Sequence, residues 1–327
     1  MNKSKKIIII GGGIGGLATA ALLGNEGYKV TLLEKNDKVG GRAMLFEKDG
    51  FKFDMGPSWY HMPEVFEHYF SLFGKKPTDF YKLKSLNPQY RIFFADDTQV
   101  TIVRDLPVNL TTFEKLEQGV TERINKYLEI SKHEYETVRD YVLYQNFDSV
   151  ITLLKPEILK QLSTLKVFQS LESLVQQFVQ NKKLQQILLH QGLFIGLNPQ
   201  ESRGFMSLFN HLDLNVGVEY PMGGISSFIE SLENLCKKYN VEILTNKDVS
   251  RIEVEQKLAT KVYVNKEIYE ADIVISNADY PFTEMNLLDA KYQTYPKSYW
   301  DKRNLAPSAF RSEEHTSELQ SPMFISY

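Results

Sequence analysis

The stretch Lys6-Ile7-Ile8-Ile9-Ile10-Gly11-Gly12-Gly13-Ile14-Gly15-Gly16-Leu17 decides the fold. Four consecutive isoleucines predict a strand buried on both faces, as at the centre of a parallel sheet. Gly11, Gly13 and Gly16 then have the G-x-G-x-x-G spacing. In that motif the glycines permit a tight turn, a close approach of pyrophosphate to the backbone, and tight helix–strand packing. A helix over 18–23 should follow. We therefore predict that its positive N-terminal end faces the phosphates of a dinucleotide.

An acidic residue follows at the distance that such a site requires. Residues 28–33 are predicted to form a second strand, which Glu34 closes and Lys35 follows. A carboxylate about 20 residues beyond the glycines hydrogen-bonds the adenosine ribose hydroxyls. Because it would repel a 2′-phosphate, the site suits FAD or NAD rather than NADP. The alternative is a glycine-rich turn without a ligand, but the order strand, turn, helix, strand and acid favours the dinucleotide.

Length and composition set broader limits. The 327 residues suggest two domains, and 43% hydrophobic residues, 24% charged residues and a net charge of −3 describe an ordinary soluble protein. This charge balance gives no indication of nucleic-acid binding. No apolar run reaches the roughly 18 residues of a transmembrane helix. The single cysteine, Cys236, cannot form an intramolecular disulfide and fits a reducing cytoplasm; we expect it to be a buried helical side chain.

Two further glycine-containing segments narrow the choice of cofactor. In Val39-Gly40-Gly41-Arg42, backbone N–H groups near Gly41 and the Arg42 guanidinium would add donors beside the phosphates. NAD dehydrogenases do not need this element, so it favours FAD. In Phe53-Asp54-Met55-Gly56-Pro57-Ser58, small residues at Gly56, Pro57 and Ser58 suit close approach by a flat ring system. Asp54 is interpreted as a carboxylate that caps the Gly-Pro turn rather than as a functional acid.

Together these motifs resemble the carotenoid desaturases of the bacterial phytoene desaturase type, FAD enzymes related to the flavin amine oxidases. The continuation Trp59-Tyr60-His61-Met62-Pro63 is similar to the phytoene desaturase branch, and the resemblance extends from about residue 5 to 310. It implies that the FAD site includes Val249, whose backbone matches a position that meets adenine in relatives. The complete set of expected cofactor-binding residues is Gly11, Gly13, Ile14, Gly15, Gly16, Glu34, Lys35, Gly41, Arg42, Gly56, Pro57, Ser58 and Val249.

The expected fold class is α/β. A Rossmann-like FAD-binding domain, discontinuous over 1–85 and 217–310, is interrupted by an inserted domain of mixed sheet and helices over 86–216. The segment Tyr220-Pro221-Met222-Gly223-Gly224 resembles the return to the FAD domain, and 271–279 is predicted to give one more buried strand. Residues 311–327 resemble the translation of a sequencing-adapter read. They are treated as a non-native tail on a C-terminally truncated chain, which we expect to be inactive.

The resemblance also implies the chemistry and the partners. The expected substrate is a long apolar polyene, most specifically phytoene, which loses a hydride and a proton while the flavin performs the difficult step. Lysines mixed with apolar residues between Ser149 and Leu197 suggest a membrane-docking surface, although an ordinary packed helical domain is the alternative. The expected location is therefore cytoplasmic, peripheral to the inner membrane. No catalytic acid, base or metal ligand is assigned. A carotenoid dehydrogenase or saturase, an amine oxidase and a non-enzymatic prenyl-binding escort protein remain alternatives.

Overall fold

The computed structural model describes residues 5–146, 149, 155–194, 196 and 198–303. The predicted tail 311–327, and the part of the predicted FAD-binding domain beyond 303, lie outside the described residues.

The strands are β1 (Lys6–Ile10), β2 (Lys29–Leu33), β3 (Leu45–Lys48), β4 (Phe51–Asp54), β5 (Leu83–Ser85), β6 (Tyr90–Phe93), β7 (Gln99–Ile102), β8 (Glu219–Pro221), β9 (Glu242–Leu244), β10 (Arg251–Glu255), β11 (Leu258–Val264), β12 (Glu267–Glu270) and β13 (Ile273–Ser276). The α-helices are α1 (Ile14–Asn25), α2 (Pro63–Ser71), α3 (Leu106–Leu116), α4 (Thr121–Val138), α5 (Pro156–Leu162), α6 (Leu171–Gln176), α7 (Lys182–Phe194), α8 (Leu208–His211), α9 (Ser226–Lys238), α10 (Tyr280–Phe282) and α11 (Lys297–Trp300).

The contacts group the chain into two units. Unit 1 comprises Met1–Asn87 together with Gly217–Lys302, and unit 2 comprises Pro88–Val216. Unit 1 is thus assembled from two segments that are separated in sequence by the whole of unit 2.

A four-stranded parallel sheet in the order β13-β1-β2-β9 forms the centre of unit 1. Strand β1 pairs in parallel with β2 from Lys6↔Lys29 to Ile10↔Leu33, and with β13 from Ile7↔Ile273 to Ile10↔Ser276. The sheet therefore joins strands from both segments of the chain, with the N-terminal strand between them.

The isoleucine run packs on both faces of this sheet. Ile7 and Ile9 belong to a core with α1 and α9, whereas Ile8 and Ile10 belong to a second core with the antiparallel sheet β10-β11-β12. All four side chains are at most 5% exposed. Because successive side chains of a strand point to opposite faces, only an unbroken apolar run satisfies both layers.

The predicted strand within 271–279 exists as β13, but the expectation that it is buried was wrong. Ile273 is 37% exposed and the remaining residues of the strand are half-buried. Among the described residues β13 pairs only with β1, so that its other edge is not covered by a strand. The apolar run predicted the strand correctly but did not indicate its position in the sheet.

Unit 2 combines the hairpin β6-β7 with helices. Val100 and Ile102 of the hairpin share a core with Phe113 of α3, Tyr127 of α4 and Leu184 of α7. The segment 204–216 changes helix type twice, from a 3₁₀ turn (Gly204–Ser207) through α8 to a π turn (Leu212–Val216). Among the described residues, no helix is both long enough and apolar enough to cross a membrane.

Candidate functional site

The glycine turn between β1 and α1 is tightly packed. Gly11 has a φ of +96°, which a residue with a side chain rarely adopts, and its N–H donates to the Leu33 carbonyl at 2.8 Å. A Cβ on Gly16 would lie 2.0 Å from the Gly11 carbonyl oxygen. Strand and helix therefore approach one another more closely than any side chain at Gly16 would permit.

The N-terminus of α1 is open to a ligand. Gly13 is its N-cap residue and supplies no side-chain cap, and the first turn holds no acidic residue. Ile14, the first helical residue, is 39% exposed. The unsatisfied N–H groups and the positive end of the helix dipole make such a terminus an anion site. This arrangement fits the pyrophosphate of a dinucleotide.

Glu34 lies at the carboxyl end of β2 beside this turn. It is 4% exposed; Oε2 accepts a hydrogen bond from the Gly12 N–H at 2.7 Å, and Oε1 accepts two from Asn36, at 2.9 Å from the backbone N and 2.8 Å from Nδ2. The carboxylate is therefore held by the glycine turn itself. Lys35, the next residue, is exposed.

The segment around Gly41 packs directly on the glycine turn. Gly40 forms a parallel bridge with Gly13, and its N–H donates to the Gly12 carbonyl at 2.8 Å. A Cβ on Gly41 would lie 3.1 Å from the Gly13 Cα. Arg42 is exposed and has no hydrogen bond or ion pair within the part of the chain that the structure describes. Its guanidinium is therefore available to a phosphate.

The third predicted segment joins the same cluster through Arg42. A Cβ on Gly56 would lie 2.1 Å from the Arg42 carbonyl oxygen, and the Met55 N–H donates to the Met44 carbonyl at 2.8 Å. Gly56 and Pro57 are exposed and Ser58 is half-buried. The structure thus brings the second and third motifs side by side.

The interpretation of Asp54 was wrong. Its carboxylate does not cap the adjacent Gly-Pro turn but accepts the N–H groups of Ile225 at 3.0 Å and Ser226 at 3.2 Å, at the start of α9. A Cβ on Gly224 would lie 2.3 Å from Asp54 Oδ2. Free N–H groups at a helix start attract a carboxylate more strongly than a single turn does, and sequence spacing could not show that these residues meet.

Val249 reaches the site through the loop that precedes it. The Lys247 N–H donates to the Glu34 carbonyl at 2.8 Å and the Asn246 N–H to the Asn36 carbonyl at 2.9 Å. Val249 is 5% exposed and shares a core with Leu33. The loop is therefore fastened to the same strand end that carries Glu34.

Sequence reasoning did not single out Asn277, which follows β13. Its N–H donates to the Ile10 carbonyl at 2.8 Å, and its exposed side chain lies over the first turn of α1, where a Cβ on Gly15 would come within 2.6 Å of Asn277 Oδ1. An amide at the end of a parallel strand beside β1 belongs to the ligand-binding edge of such a sheet. Its position directly after an apolar strand was the available signal.

Histidines do not form a metal site in the described residues, where no group of three His, Cys, Asp or Glu could hold an ion. His61, close in sequence to Ser58, has a buried Nδ1 without a hydrogen-bond partner among them. Burial lowers the pKa of this imidazole, so that it is neutral near pH 7. Cys236, as predicted, is buried on α9.

Comparison with known families gives one match over most of the chain. Residues 14–303 match the family described as flavin containing amine oxidoreductase. The matched region includes the helix that follows the glycine turn and both of the later glycine segments.

Two curated relatives match nearly the whole chain. A carotenoid 3,4-desaturase of Haloarcula japonica is 37% identical over 305 residues, which is 93% of this chain and 62% of that protein. A 4,4′-diapophytoene desaturase of Staphylococcus haemolyticus is 32% identical over 308 residues, again 93% and 62%. The chain thus spans about 62% of the length of these relatives.

A solved structure shows the fold. A putrescine oxidase variant superposes with a TM-score of 0.61 at 13% identity, covering 91% of this chain and 62% of that one. Together with the family match it confirms the predicted α/β fold class, a Rossmann-like FAD-binding domain with an inserted helical domain.

Proposed function

Because the chain belongs to the flavin containing amine oxidoreductase family, we propose that this protein is an FAD-dependent desaturase that introduces double bonds into a carotenoid precursor. The family match, with the putrescine oxidase fold, confirms the prediction of FAD as cofactor. The substrate class rests on one observation above the others: two carotenoid desaturases are 37% and 32% identical to this chain over 93% of its length.

The site is suited to the cofactor at the phosphate end. The open N-terminus of α1 would hold the pyrophosphate, with Arg42 supplying positive charge beside it. Glu34 would hold the ribose hydroxyls while its carboxylate keeps the Gly12 N–H. Gly56, Pro57 and Ser58 would approach the ring system. When bound, FAD supplies a two-electron acceptor; the residues of this chain bind and orient it.

Phytoene is the proposed substrate among carotenoid precursors. The resemblance of Trp59-Tyr60-His61-Met62-Pro63 to the phytoene desaturase branch supports it. A C30 precursor is the alternative that the diapophytoene desaturase relative favours. Both are apolar isoprenoid hydrocarbons, so the two assignments share one chemistry and differ in chain length.

We also propose that unit 2 docks on a membrane surface from the cytoplasmic side. Phe168 is 96% exposed and Leu159 is 46% exposed, and three exposed lysines, Lys155, Lys160 and Lys166, lie near them in sequence. Apolar side chains flanked by lysines are typical of surfaces that bind anionic lipid. Lys183 is not counted among these lysines, because its ammonium forms an ion pair with Asp96.

The deciding experiment uses a version of the protein extended to the full length of its carotenoid desaturase relatives. It is expressed in a host that accumulates phytoene, and separately in one that accumulates diapophytoene, and the pigments are analysed by chromatography. The purified protein is assayed for bound FAD in parallel. We expect FAD and newly conjugated polyenes. FAD with oxidation of amines but not of polyenes would instead identify an amine oxidase, and a protein without affinity for FAD would support the prenyl-binding escort alternative.

A further inference from the structure

A carboxyl group is buried in unit 2, away from the cofactor residues. Asp213, in the π turn Leu212–Val216, is 1% exposed. Its Oδ2 accepts a hydrogen bond from the Tyr90 hydroxyl, whereas Oδ1 is buried and has no partner in the described residues. A buried carboxylate normally carries several donors or a cation, and π turns often occur at functional positions. Asp213 therefore needs an explanation.

Among the residues that the structure describes, the groups around Asp213 do not offer it a positive charge. From β6 it is faced by Tyr90, and from α7 by Gln191, while Gln89 Nε2 donates to its backbone carbonyl at 3.1 Å. The centroid of the His190 ring lies 5.1 Å from that of the Tyr90 ring. His190 Nδ1 donates to the Ile187 carbonyl at 2.6 Å and Nε2 accepts from Gln191 at 3.3 Å, which is the neutral imidazole. Burial lowers the pKa of His190 to about 4.

The segment that carries Asp213 has further buried polar atoms without a hydrogen-bond partner in the described parts of the chain. Ser207 Oγ, Asn210 Oδ1 and Asp213 Oδ1 recur every three residues, and each belongs to a residue at most 1% exposed. Asn210 is fixed on its other side, where Nδ2 donates to the Tyr127 hydroxyl at 3.0 Å and to the Leu188 carbonyl at 2.9 Å. Buried polar atoms without partners cost stability, so residues 204–216 are favoured to open locally.

We propose that Asp213 is a proton-operated latch of unit 2: the neutral carboxyl keeps residues 204–216 packed, and release of its proton to solvent allows them to open. When the O–H bond breaks, the negative charge remains on a carboxylate that faces the Tyr90 hydroxyl and the Gln191 amide but no cation among the described residues. Exposure to water is the way to solvate that charge. This latch does not depend on the proposed enzymatic activity.

The direction of the pH effect follows from burial, which raises the pKa of Asp213 to about 7 from an ordinary 3.8. Between these values the folded chain holds a proton that the unfolded chain has lost, so stability falls as the pH rises through this window and levels off above about pH 7. Glu134 of α4, whose Oε1 accepts the Lys166 N–H at 2.9 Å, contributes in the same direction because burial raises its pKa.

The first test compares the chain with Asp213→Asn, which imitates the neutral carboxyl, between pH 5 and 8. Asp49→Asn, at an exposed acid in unit 1, is the control. We expect the urea midpoint of the wild type to fall relative to Asp213→Asn as the pH rises. We also expect proteolytic cuts within 204–216, mapped by mass spectrometry, to increase by up to about tenfold per pH unit relative to that variant. If the urea midpoints and the cutting rates of the wild type and of Asp213→Asn changed in parallel with pH, the proposal would be overturned.

The second test does not depend on how well Asp213→Asn folds. In a ¹³C NMR titration of the wild type, the Asp213 carboxyl carbon should titrate near neutrality. Tyr90→Phe should move the midpoint to higher pH, because the lost hydroxyl donor stabilised the charged form. Titration of folded Asp213 near pH 4, or a midpoint that Tyr90→Phe leaves unchanged or lowers, would contradict the latch.

Discussion

At the scale of single residues, the Glu34 carboxylate accepts a hydrogen bond from the Gly12 N–H and is also expected to bind the ribose hydroxyls of FAD. Glu34→Ala should weaken FAD binding by roughly 1.5–3 kcal/mol, or about 10- to 150-fold, the usual contribution of hydrogen bonds to a charged group. Fluorescence titration of FAD measures this, with Glu26→Ala at an exposed position as control. Unchanged affinity would remove Glu34 from the site.

Two neighbouring glycines should respond differently to the same added methyl group. Gly16→Ala would place a Cβ 2.0 Å from a backbone oxygen, whereas Gly15→Ala would meet the exposed Asn277 side chain at 2.6 Å. We expect Gly16→Ala to cost about 3 kcal/mol or more in stability, since the backbone must shift. Gly15→Ala should stay within about 1 kcal/mol, because a side chain can turn aside and alanine favours a helix. Thermal unfolding of the two variants measures both losses of stability. Equal losses would mean that the turn is packed less tightly than the structure shows.

At the scale of elements, Asp54 links β4 to the start of α9 across 171 residues of sequence. Asp54→Ala should lower the free energy of unfolding by about 1 kcal/mol, as for the loss of a helix N-cap. Asp54→Asn, which keeps one acceptor oxygen, should lose less. Urea denaturation measures both, and Asp37→Ala at an exposed acid is the control. A smaller loss for Asp54→Ala than for the control would show that the link contributes nothing.

What the sequence could reveal about these elements depended on how local the cause was. The isoleucine run, the glycine spacing and Glu34 could be interpreted from local sequence alone, because their roles depend on short-range spacing. The fold class that they predicted is confirmed. Asp54 and β13 were misjudged because partner and position in the sheet are tertiary properties. Asn277 was missed for the same reason: it meets α1 only after β13 pairs with β1. The cofactor-binding role of each site residue stays a prediction.

At the scale of the whole molecule, membrane docking predicts a difference between two exposed phenylalanines of unit 2. Phe168→Ser should reduce binding to vesicles containing anionic lipid by about tenfold or more, since burying such a ring contributes about 1.5–3 kcal/mol. Phe93→Ser is the matched control, because Phe93 is 58% exposed on β6 and lies far in sequence from Lys155, Lys160 and Lys166. High salt should release part of the wild type. Co-sedimentation measures both, and equal losses would indicate a non-specific apolar effect.

The position of β1 between β2 and β13 also has a consequence during biosynthesis. The Lys6 N–H reaches Asp272 Oδ2 at 2.7 Å across 266 residues. At about 5–20 residues per second, a ribosome needs roughly 13–53 s to translate that interval. Throughout it, one side of the most apolar strand of unit 1 has no native neighbour, while all of unit 2 is being made. Chaperone demand for this nascent chain should therefore be greatest before residue 276 emerges.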